Sequence, residues 1–254
     1  MAMNEKAKKY VEKMVTGPEP GLSETDPEFV ERFADFAFDE VVNEEQAKLD
    51  DRTRFLAILA SLLGCQASEE FRMILPAALN FGLTPTEVKE TVYQAVDYLG
   101  IGRVYPFLKI TNEILSARGV RLPLAAGAAV SYEERLRKGN DAQIEIFGEG
   151  MRDRWNNGLE DQRHISKWLA DNCFGDYYTR KGLTLAEREM ITFCFLMAQG
   201  GCEPQLKSHA LGNMNLGNDE GFLIRVVSQC LPYIGYPRSL NALRMIGEAA
   251  AVKK

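Results

Sequence analysis

The sequence predicts an all-α protein built from two tandem copies of one helical module. Three observations support this fold class. Apolar residues recur at helical spacing, helix-start and helix-stop signals punctuate the chain, and the chain matches itself at a fixed offset. No segment alternates apolar and polar residues as a half-buried strand would.

Apolar stripes and boundary residues mark the helices of the first copy. Thr84 and Glu87 around Pro85 form the pattern of a capping box, which predicts a helix start. Gly82, Gly100 and Gly119 are the expected stops. The stripes comprise Phe55, Leu56, Leu59, Leu62 and Leu63; Phe71, Ile74, Leu75 and Ala78; Val88, Val92, Ala95, Val96 and Leu99; and Phe107, Ile110, Ile114 and Leu115.

An offset of 135 residues reveals the second copy. It pairs identical residues without a gap: Asn80 with Asn215, Gly82 with Gly217, Val92 with Val227, Gln94 with Gln229, Tyr98 with Tyr233, Gly100 with Gly235, Arg103 with Arg238, Leu108 with Leu243 and Glu113 with Glu248. Upstream the register shifts by one residue, so that Arg52 corresponds to Arg188. Thr184 and Glu187 predict a helix start there, followed by a stripe through Met190, Ile191, Cys194, Phe195 and Ala198.

These patterns divide the chain into four parts. Residues 1–29 are expected to form an amphipathic helix and a Pro/Gly-rich loop outside the modules. The first module spans residues 30–118, and residues 119–131, rich in Ala, Gly and Pro, form a linker. The second module spans residues 132–254 and carries the candidate active site.

Composition excludes several classes of protein. Apolar residues make up 46% of the 254-residue chain, which is too many for a disordered protein. The net charge of −6 and the absence of a basic run argue against nucleic-acid binding. No apolar run is long enough for a membrane helix, and no signal peptide is evident, so we expect no membrane association and a cytoplasmic location.

Cysteine and histidine usage argues against disulfides and metal. The cysteines are odd in number and irregularly spaced, which favours reduced thiols: Cys65, Cys173, Cys194, Cys202 and Cys230. The histidines are His164 and His209, and no paired Cys/His ligands occur at short spacing. We therefore expect no metal site.

The two copies differ at a position that should face the module interior. Ile74 in the first copy corresponds to His209 in the second, so the scaffold accepts an apolar side chain there. An imidazole in that place needs a polar partner. Glu189, which corresponds to Thr53, can supply a carboxylate from the preceding helix. Cys202 and Gln205 lie on the same face as His209 if the helix already runs from residue 202.

This constellation allows two kinds of chemistry and one non-chemical interpretation. A carboxylate that orients an imidazole favours general acid/base catalysis. A histidine beside a cysteine can instead lower the thiol pKa and create a nucleophile. Taken singly, His209 is more often structural, Cys202 a small buried residue and Glu189 an ordinary helix residue. The shared location and the contrast with the first copy favour a functional site.

Several segments resemble the carboxymuconolactone decarboxylase family, which also contains alkylhydroperoxidase D-like proteins. The segments are Ala186-Glu187-Arg188-Glu189-Met190-Ile191, Gly201-Cys202, Leu206-Lys207-Ser208-His209, Asn215-Leu216-Gly217, and Tyr233 through Leu243. The first copy repeats this scaffold at residues 80–84 and 98–103. The resemblance implies an all-helical fold, assembly into trimers or hexamers, and sites near subunit contacts.

The resemblance also carries roles onto residues of this chain. Glu189, Cys202 and His209 match the glutamate, first cysteine and histidine of the family's redox branch, whereas Gln205 stands in place of its second cysteine. An intramolecular disulfide cycle lacks its resolving partner without that cysteine. The family's decarboxylase branch uses acid/base chemistry at the histidine. The first module has lost the histidine and is expected to be a structural half.

We therefore expect an enzyme that acts on a small-molecule substrate and needs no cofactor. His209 would be the general acid/base on a small carboxylate-bearing lactone or related carbonyl compound, and Glu189 would orient the imidazole. Gln205 and Arg238 are candidate substrate-binding residues, although the repeat partner Arg103 favours a structural ion pair for Arg238. One alternative is a thiol peroxidase (peroxiredoxin-type) that uses Cys202. The other is a non-catalytic oligomeric scaffold or ligand sensor.

Overall fold

The computed structural model describes residues 3–14 and 22–253, and these ranges are largely helical with no β-strand. This confirms the predicted all-α class. The α-helices are Glu5–Met14 (α1), Leu22–Thr25 (α2), Pro27–Asp35 (α3), Val41–Asn43 (α4), Asp51–Gly64 (α5), Ser68–Asn80 (α6), Pro85–Leu99 (α7), Ile101–Ala117 (α8), Arg135–Phe147 (α9), Arg163–Trp168 (α10), Leu185–Gln199 (α11), Glu203–Asn215 (α12), Glu220–Ile234 (α13) and Tyr236–Lys253 (α14).

Shorter helical segments of other types lie between them. Two π-helical segments span Phe36–Glu40 and Leu169–Tyr178. The 3-10 turns are Glu45–Ala47, Glu149–Met151, Arg154–Asn156 and Glu160–Gln162.

The repeat in the sequence is a repeat in the fold. Helices α5 to α8 contain 14, 13, 15 and 17 residues, and α11 to α14 contain 15, 13, 15 and 18. Gly82, Gly100 and Gly119 follow the helix ends with positive φ angles of 103°, 79° and 77°, a conformation that glycine adopts without a steric cost. Two tandem modules are therefore present.

Both predicted capping boxes form. The Thr84 hydroxyl accepts from the Glu87 N–H while the Glu87 carboxylate accepts from the Thr84 N–H, and Thr184 and Glu187 repeat the arrangement. Arg52 donates to both capping glutamates, at 2.6 Å to Glu187. This side chain therefore links the start of α7 in the first module to the start of α11 in the second.

Helices α5 and α11 lie at the centre of the molecule. Their backbones approach closely, since a Cβ on Gly64 would lie 2.6 Å from the Phe195 carbonyl oxygen. From Arg54 to Gly64 every residue of α5 is buried, as expected of a helix surrounded by protein. One continuous core takes residues from both modules, such as Leu59 and Phe193.

The N-terminal segment partly follows the prediction. The expected helix is present as α1, and it buries Ala7 and Met14 in the common core rather than lying outside it. Residues 15–21, which hold much of the expected loop, lie outside the described residues. Helix α1 packs on the π-helical segment Phe36–Glu40, just as α9 packs on Leu169–Tyr178. The limits of the four parts stay predictions.

The connection between α8 and α9, where the linker was expected, has neither helix nor strand from residue 118 to residue 134. It is held against the second module, because the Lys181 N–H donates to the Gly127 carbonyl at 2.9 Å. Across the two described ranges, no helix is long and apolar enough to span a bilayer.

Candidate active site

Glu189 of α11 and His209 of α12 meet in the interior of the second module. The Nδ1 atom of His209 lies 2.8 Å from Oε2 of Glu189. Glu189 is completely buried and His209 is 8% exposed. His209 follows the buried Leu206 and precedes the buried Ala210 on α12, so helical periodicity turns the imidazole inward. The structure thus brings together the two residues that the sequence paired.

Tyr178 holds the other oxygen of the same carboxylate. Its hydroxyl donates to Oε1 of Glu189 at 2.8 Å and lies 2.7 Å from the Thr192 hydroxyl. Because a hydroxyl has a single proton, Thr192 must be the donor in the second contact. Gln94 in turn donates to Thr192 at 2.9 Å. A line of donors therefore starts on α7 of the first module and ends at the buried carboxylate.

A second line of donors reaches Tyr178 from Tyr98. The two phenolic oxygens are 2.6 Å apart, and the Cys173 thiol donates weakly to Tyr98 at 3.8 Å. Burial raises the pKa of Tyr98 and of Tyr178 well above the usual value, so both stay protonated at neutral pH. Tyr98 also belongs to the first module, which therefore contributes directly to the surroundings of Glu189.

Aromatic rings enclose the imidazole. The His209 ring meets Tyr98 edge-on at 5.5 Å between centroids and Phe147 of α9 at 5.4 Å. Both contacts fix the ring plane while Nδ1 is held by Glu189. The remaining ring nitrogen, Nε2, is then the atom that can exchange a proton with a substrate.

Two neighbouring residues of α12, Asn213 and Gly212, fix the position of this helix against α11. Asn213 donates to the main-chain carbonyls of Glu189 at 2.9 Å and His209 at 2.8 Å, which ties α11 to α12. Gly212 provides space, because a Cβ there would lie 2.8 Å from Oε2 of Glu189 and 2.7 Å from Ile146. The carboxylate can occupy its position only because this residue is glycine.

Cys202 and Gln205 do not join the pair. Helix α12 begins at Glu203 with Cys202 as its N-cap residue, so the condition under which Cys202 would share a helix face with His209 is not met. The Cys202 thiol donates to the Leu196 carbonyl at 3.4 Å and accepts from Gln199 at 3.8 Å. Burial raises the pKa of this thiol, which favours the protonated form. The Gln205 side chain is exposed and shares no hydrogen bond with another described residue.

Arg238 lies near the end of α11 and shares no hydrogen bond or ion pair with His209. Its Nε atom would be 3.6 Å from a Cβ on Gly200, at the end of α11. The expected ion pair does not form with any residue in the ranges 3–14 and 22–253. Its repeat partner Arg103 instead donates to Gln199 at 3.0 Å. Within those ranges no group of three or more His, Cys, Asp or Glu side chains is arranged to hold a metal ion.

A cavity of about 400 Å³ lies beside α9 and is lined by Gln143, Trp155 and Leu169, among others. Gln143 precedes Phe147 by four residues, so one face of α9 carries a residue that lines the cavity and a residue that contacts the His209 ring.

Comparison with known proteins agrees with this architecture. The Carboxymuconolactone decarboxylase family matches at residues 27–113 and 164–248. The chain belongs to the carboxymuconolactone decarboxylase family.

This family member is similar to a curated protein and to a solved structure. It is 27% identical over 117 residues to 4-carboxymuconolactone decarboxylase of Acinetobacter baylyi, a match that covers 46% of this chain and 87% of the relative. A solved structure named as a candidate gamma-carboxymuconolactone decarboxylase subunit of Burkholderia xenovorans has a TM-score of 0.51 and 19% identity, with 98% of each chain covered. The second likeness shows the fold alone.

Several residues of the site were not identified from the sequence: Tyr98, Tyr178, Thr192, Asn213 and Gly212. Tyr98 stood out only as a residue shared by both copies, which favours a structural role. The sequence did contain a difference that could have identified Gly212, because its counterpart in the first copy is Ala77. The carboxylate of Glu189 and the missing methyl group of Gly212 occur in the same copy.

Proposed function

We propose that this carboxymuconolactone decarboxylase family member uses His209 as a general acid/base on a small carboxylate-bearing lactone or related carbonyl compound. The buried contact of 2.8 Å between Nδ1 of His209 and Oε2 of Glu189 carries the proposal. The Acinetobacter baylyi relative, named 4-carboxymuconolactone decarboxylase, supplies the substrate class to test first.

The chemistry of such a substrate defines what the site must do. Loss of CO₂ breaks the bond between a ring carbon and its carboxylate, and the electron pair of that bond moves into a conjugated carbonyl. A proton must then be delivered to carbon to give the neutral product. A protonated imidazole supplies that proton through Nε2 and regains one from solvent, so no electrons are exchanged with another reactant and no cofactor is invoked.

Glu189 is a positioning residue in this proposal. A buried carboxylate needs a counter-charge or hydrogen-bond donors, and imidazolium supplies both at Nδ1. The Tyr178 hydroxyl donates to the other carboxylate oxygen, so the carboxylate cannot rotate away from the ring. This arrangement holds the ring by Nδ1 and leaves Nε2 as the nitrogen that can face a substrate.

We expect the substrate to approach from the cavity beside α9, because Phe147 on that helix contacts the His209 ring. A cytoplasmic location and assembly into trimers or hexamers remain part of the proposal. Light scattering of the purified protein tests the assembly directly.

The test compares the two histidines of the chain. His209→Gln is expected to lower the rate of CO₂ release from 4-carboxymuconolactone by about 10²- to 10⁴-fold, while His164→Gln, at an exposed position, leaves it unchanged. The wild-type pH–rate profile should contain a limb that is absent from the profile of the first variant. Circular dichroism confirms that both variants are folded. Unchanged turnover in His209→Gln would contradict the proposal.

The same assay addresses the thiol alternative. Since the Cys202 thiol has a raised pKa and no hydrogen bond to His209, Cys202→Ser should retain full activity. A loss of activity in Cys202→Ser as large as that in His209→Gln would favour thiol chemistry over acid/base chemistry.

A further inference from the structure

A different cavity, also of about 400 Å³, lies on the first module under the connection between α8 and α9. Its volume falls in the range of about 300–1,000 Å³ that is typical of small-molecule sites. Side chains of α7 and α8 line it together with Arg180 of the second module and residues 122–127. His209 and Glu189 do not line it, so it is separate from the site proposed above.

Lys89 on α7 is a buried lysine in the wall of this cavity. It is only 7% exposed, and its Nζ atom donates to the Asn112 side-chain carbonyl at 2.6 Å. None of the carboxylates in the described ranges lies within ion-pair distance of this ammonium. A buried cation without a counter-charge is unfavourable, and a bound anion would supply that charge.

The neighbouring charges do not compensate Lys89. Glu90 is the carboxylate of the cavity wall, and it accepts from Arg180 at 2.8 Å and from Arg188 at 3.0 Å. Two guanidinium groups therefore already share Glu90, and with Lys89 the cluster has more positive than negative charge. Lys89 and Arg180 also lie 5.2 Å and 5.3 Å from the centre of the Tyr93 ring, so both cations are within cation–π distance of the same aromatic ring.

The second copy shows that the fold does not require these groups. Under the repeat offset, Lys89 corresponds to Ile224 and Asn112 to Gly247. The buried ammonium and the amide that fixes it are therefore specific to the first module. The lining also includes Leu122, Pro123 and Leu124, which offer apolar surface.

We infer that this cavity binds a small organic carboxylate, with its charged end on Lys89 and its apolar body against residues 122–124. This gives the first module a ligand site of its own. The inference does not rest on the proposed function, because its test measures binding and not turnover.

Calorimetric titration with benzoate tests the inference. Lys89→Met keeps the aliphatic stem and removes the charge, and it should weaken benzoate binding by at least about tenfold. Lys8→Met removes the same charge at an exposed position of α1 and should bind like the wild type. Inorganic phosphate, which has no apolar body, should bind more weakly than benzoate.

Four results would overturn the inference. The first is no heat of binding at about 10 mM benzoate in the wild type. The second is equal affinity in Lys89→Met and Lys8→Met. The third is phosphate binding as tight as benzoate binding, which would indicate an anion site without an apolar part. The fourth is loss of benzoate binding in His209→Gln with retention in Lys89→Met, which would place the ligand at the other site.

Discussion

Tyr98 and Tyr233 occupy the same position in the two copies but have different surroundings. Tyr98 lies 2.6 Å from the Tyr178 hydroxyl, in the line of donors that reaches Glu189. The Tyr233 hydroxyl is buried and has no hydrogen-bond partner among the described residues. Burial raises the pKa of Tyr233 to about 12, so the hydroxyl stays protonated. The same residue therefore supports a site in one copy and is an unsatisfied group in the other.

This difference predicts opposite effects of the same substitution. Tyr98→Phe should lower the free energy of unfolding by about 1–2 kcal/mol, because it removes a buried hydrogen bond and leaves Tyr178 with fewer partners. Tyr233→Phe should change stability by between zero and a gain of about 1 kcal/mol, since it removes an unsatisfied hydroxyl. Urea denaturation of both variants measures the difference. Equal losses in the two variants would show that the Tyr98 hydrogen bond has no net value.

The sequence identified the centre of the site but not its surroundings. The Ile74–His209 contrast predicted an inward imidazole, and Glu189 was the carboxylate within reach. Tyr178 could not be predicted, because it lies on a π-helical segment whose side-chain directions do not follow the usual helical period. Cys202 was expected near His209, but paired glycines end α11 and place the thiol just before the next helix.

At the scale of helices, the position of α12 depends on Gly212. A methyl group there would approach both Oε2 of Glu189 and Ile146 of α9 to less than 3 Å. In the first copy Ala77 fits at this position, where Thr53 stands in place of the glutamate. The close approach of α12 to α9 and α11 therefore depends on glycine at position 212 when position 189 is glutamate.

Gly212→Ala is expected to lower both stability and turnover, because α12 or the Glu189 side chain must move to admit the methyl group. We expect a loss of about 1–3 kcal/mol in the free energy of unfolding. Gly247→Ala, in the interior of α14 with open space around the new Cβ, should instead gain about 0.5–1 kcal/mol. Thermal unfolding and the CO₂-release assay measure both variants. A stabilised, fully active Gly212→Ala would show that the close approach is not required.

Helix limits were more predictable than helix contacts. Thr84 and Thr184 form capping boxes at the starts of α7 and α11, and a glycine follows the last residue of each helix. Short stretches of sequence are therefore enough to predict where these helices begin and end. The contact of Gly64 with Phe195 joins residues that are distant in the chain, and no local pattern records it. The apolar residues at helical spacing predicted α5, but they did not show that α5 would be buried on every side.

At the scale of the whole molecule, the two modules share one core and a set of ion pairs. Arg188 is completely buried and donates across the boundary to Glu90 at 3.0 Å and to Gln94 at 2.8 Å. Its repeat counterpart Arg52 also crosses the boundary, but its side chain is 38% exposed. A duplicated arginine thus became a buried cross-link in one copy and a surface bridge in the other.

This pair tests whether the chain unfolds as a single unit. Arg188→Met should lower the free energy of unfolding by about 3 kcal/mol or more, because the Gln94 side-chain carbonyl loses its donor and the buried Glu90 carboxylate loses one of its two guanidinium partners. Arg52→Met should cost less, about 1 kcal/mol, since the Arg52 side chain is partly exposed and water can replace part of its interaction with the two glutamates. Calorimetry should show one transition for the wild type and for both variants, because the continuous core couples the modules. Two resolved transitions, or equal costs for the two arginines, would mean that each module is stable without the buried cross-link.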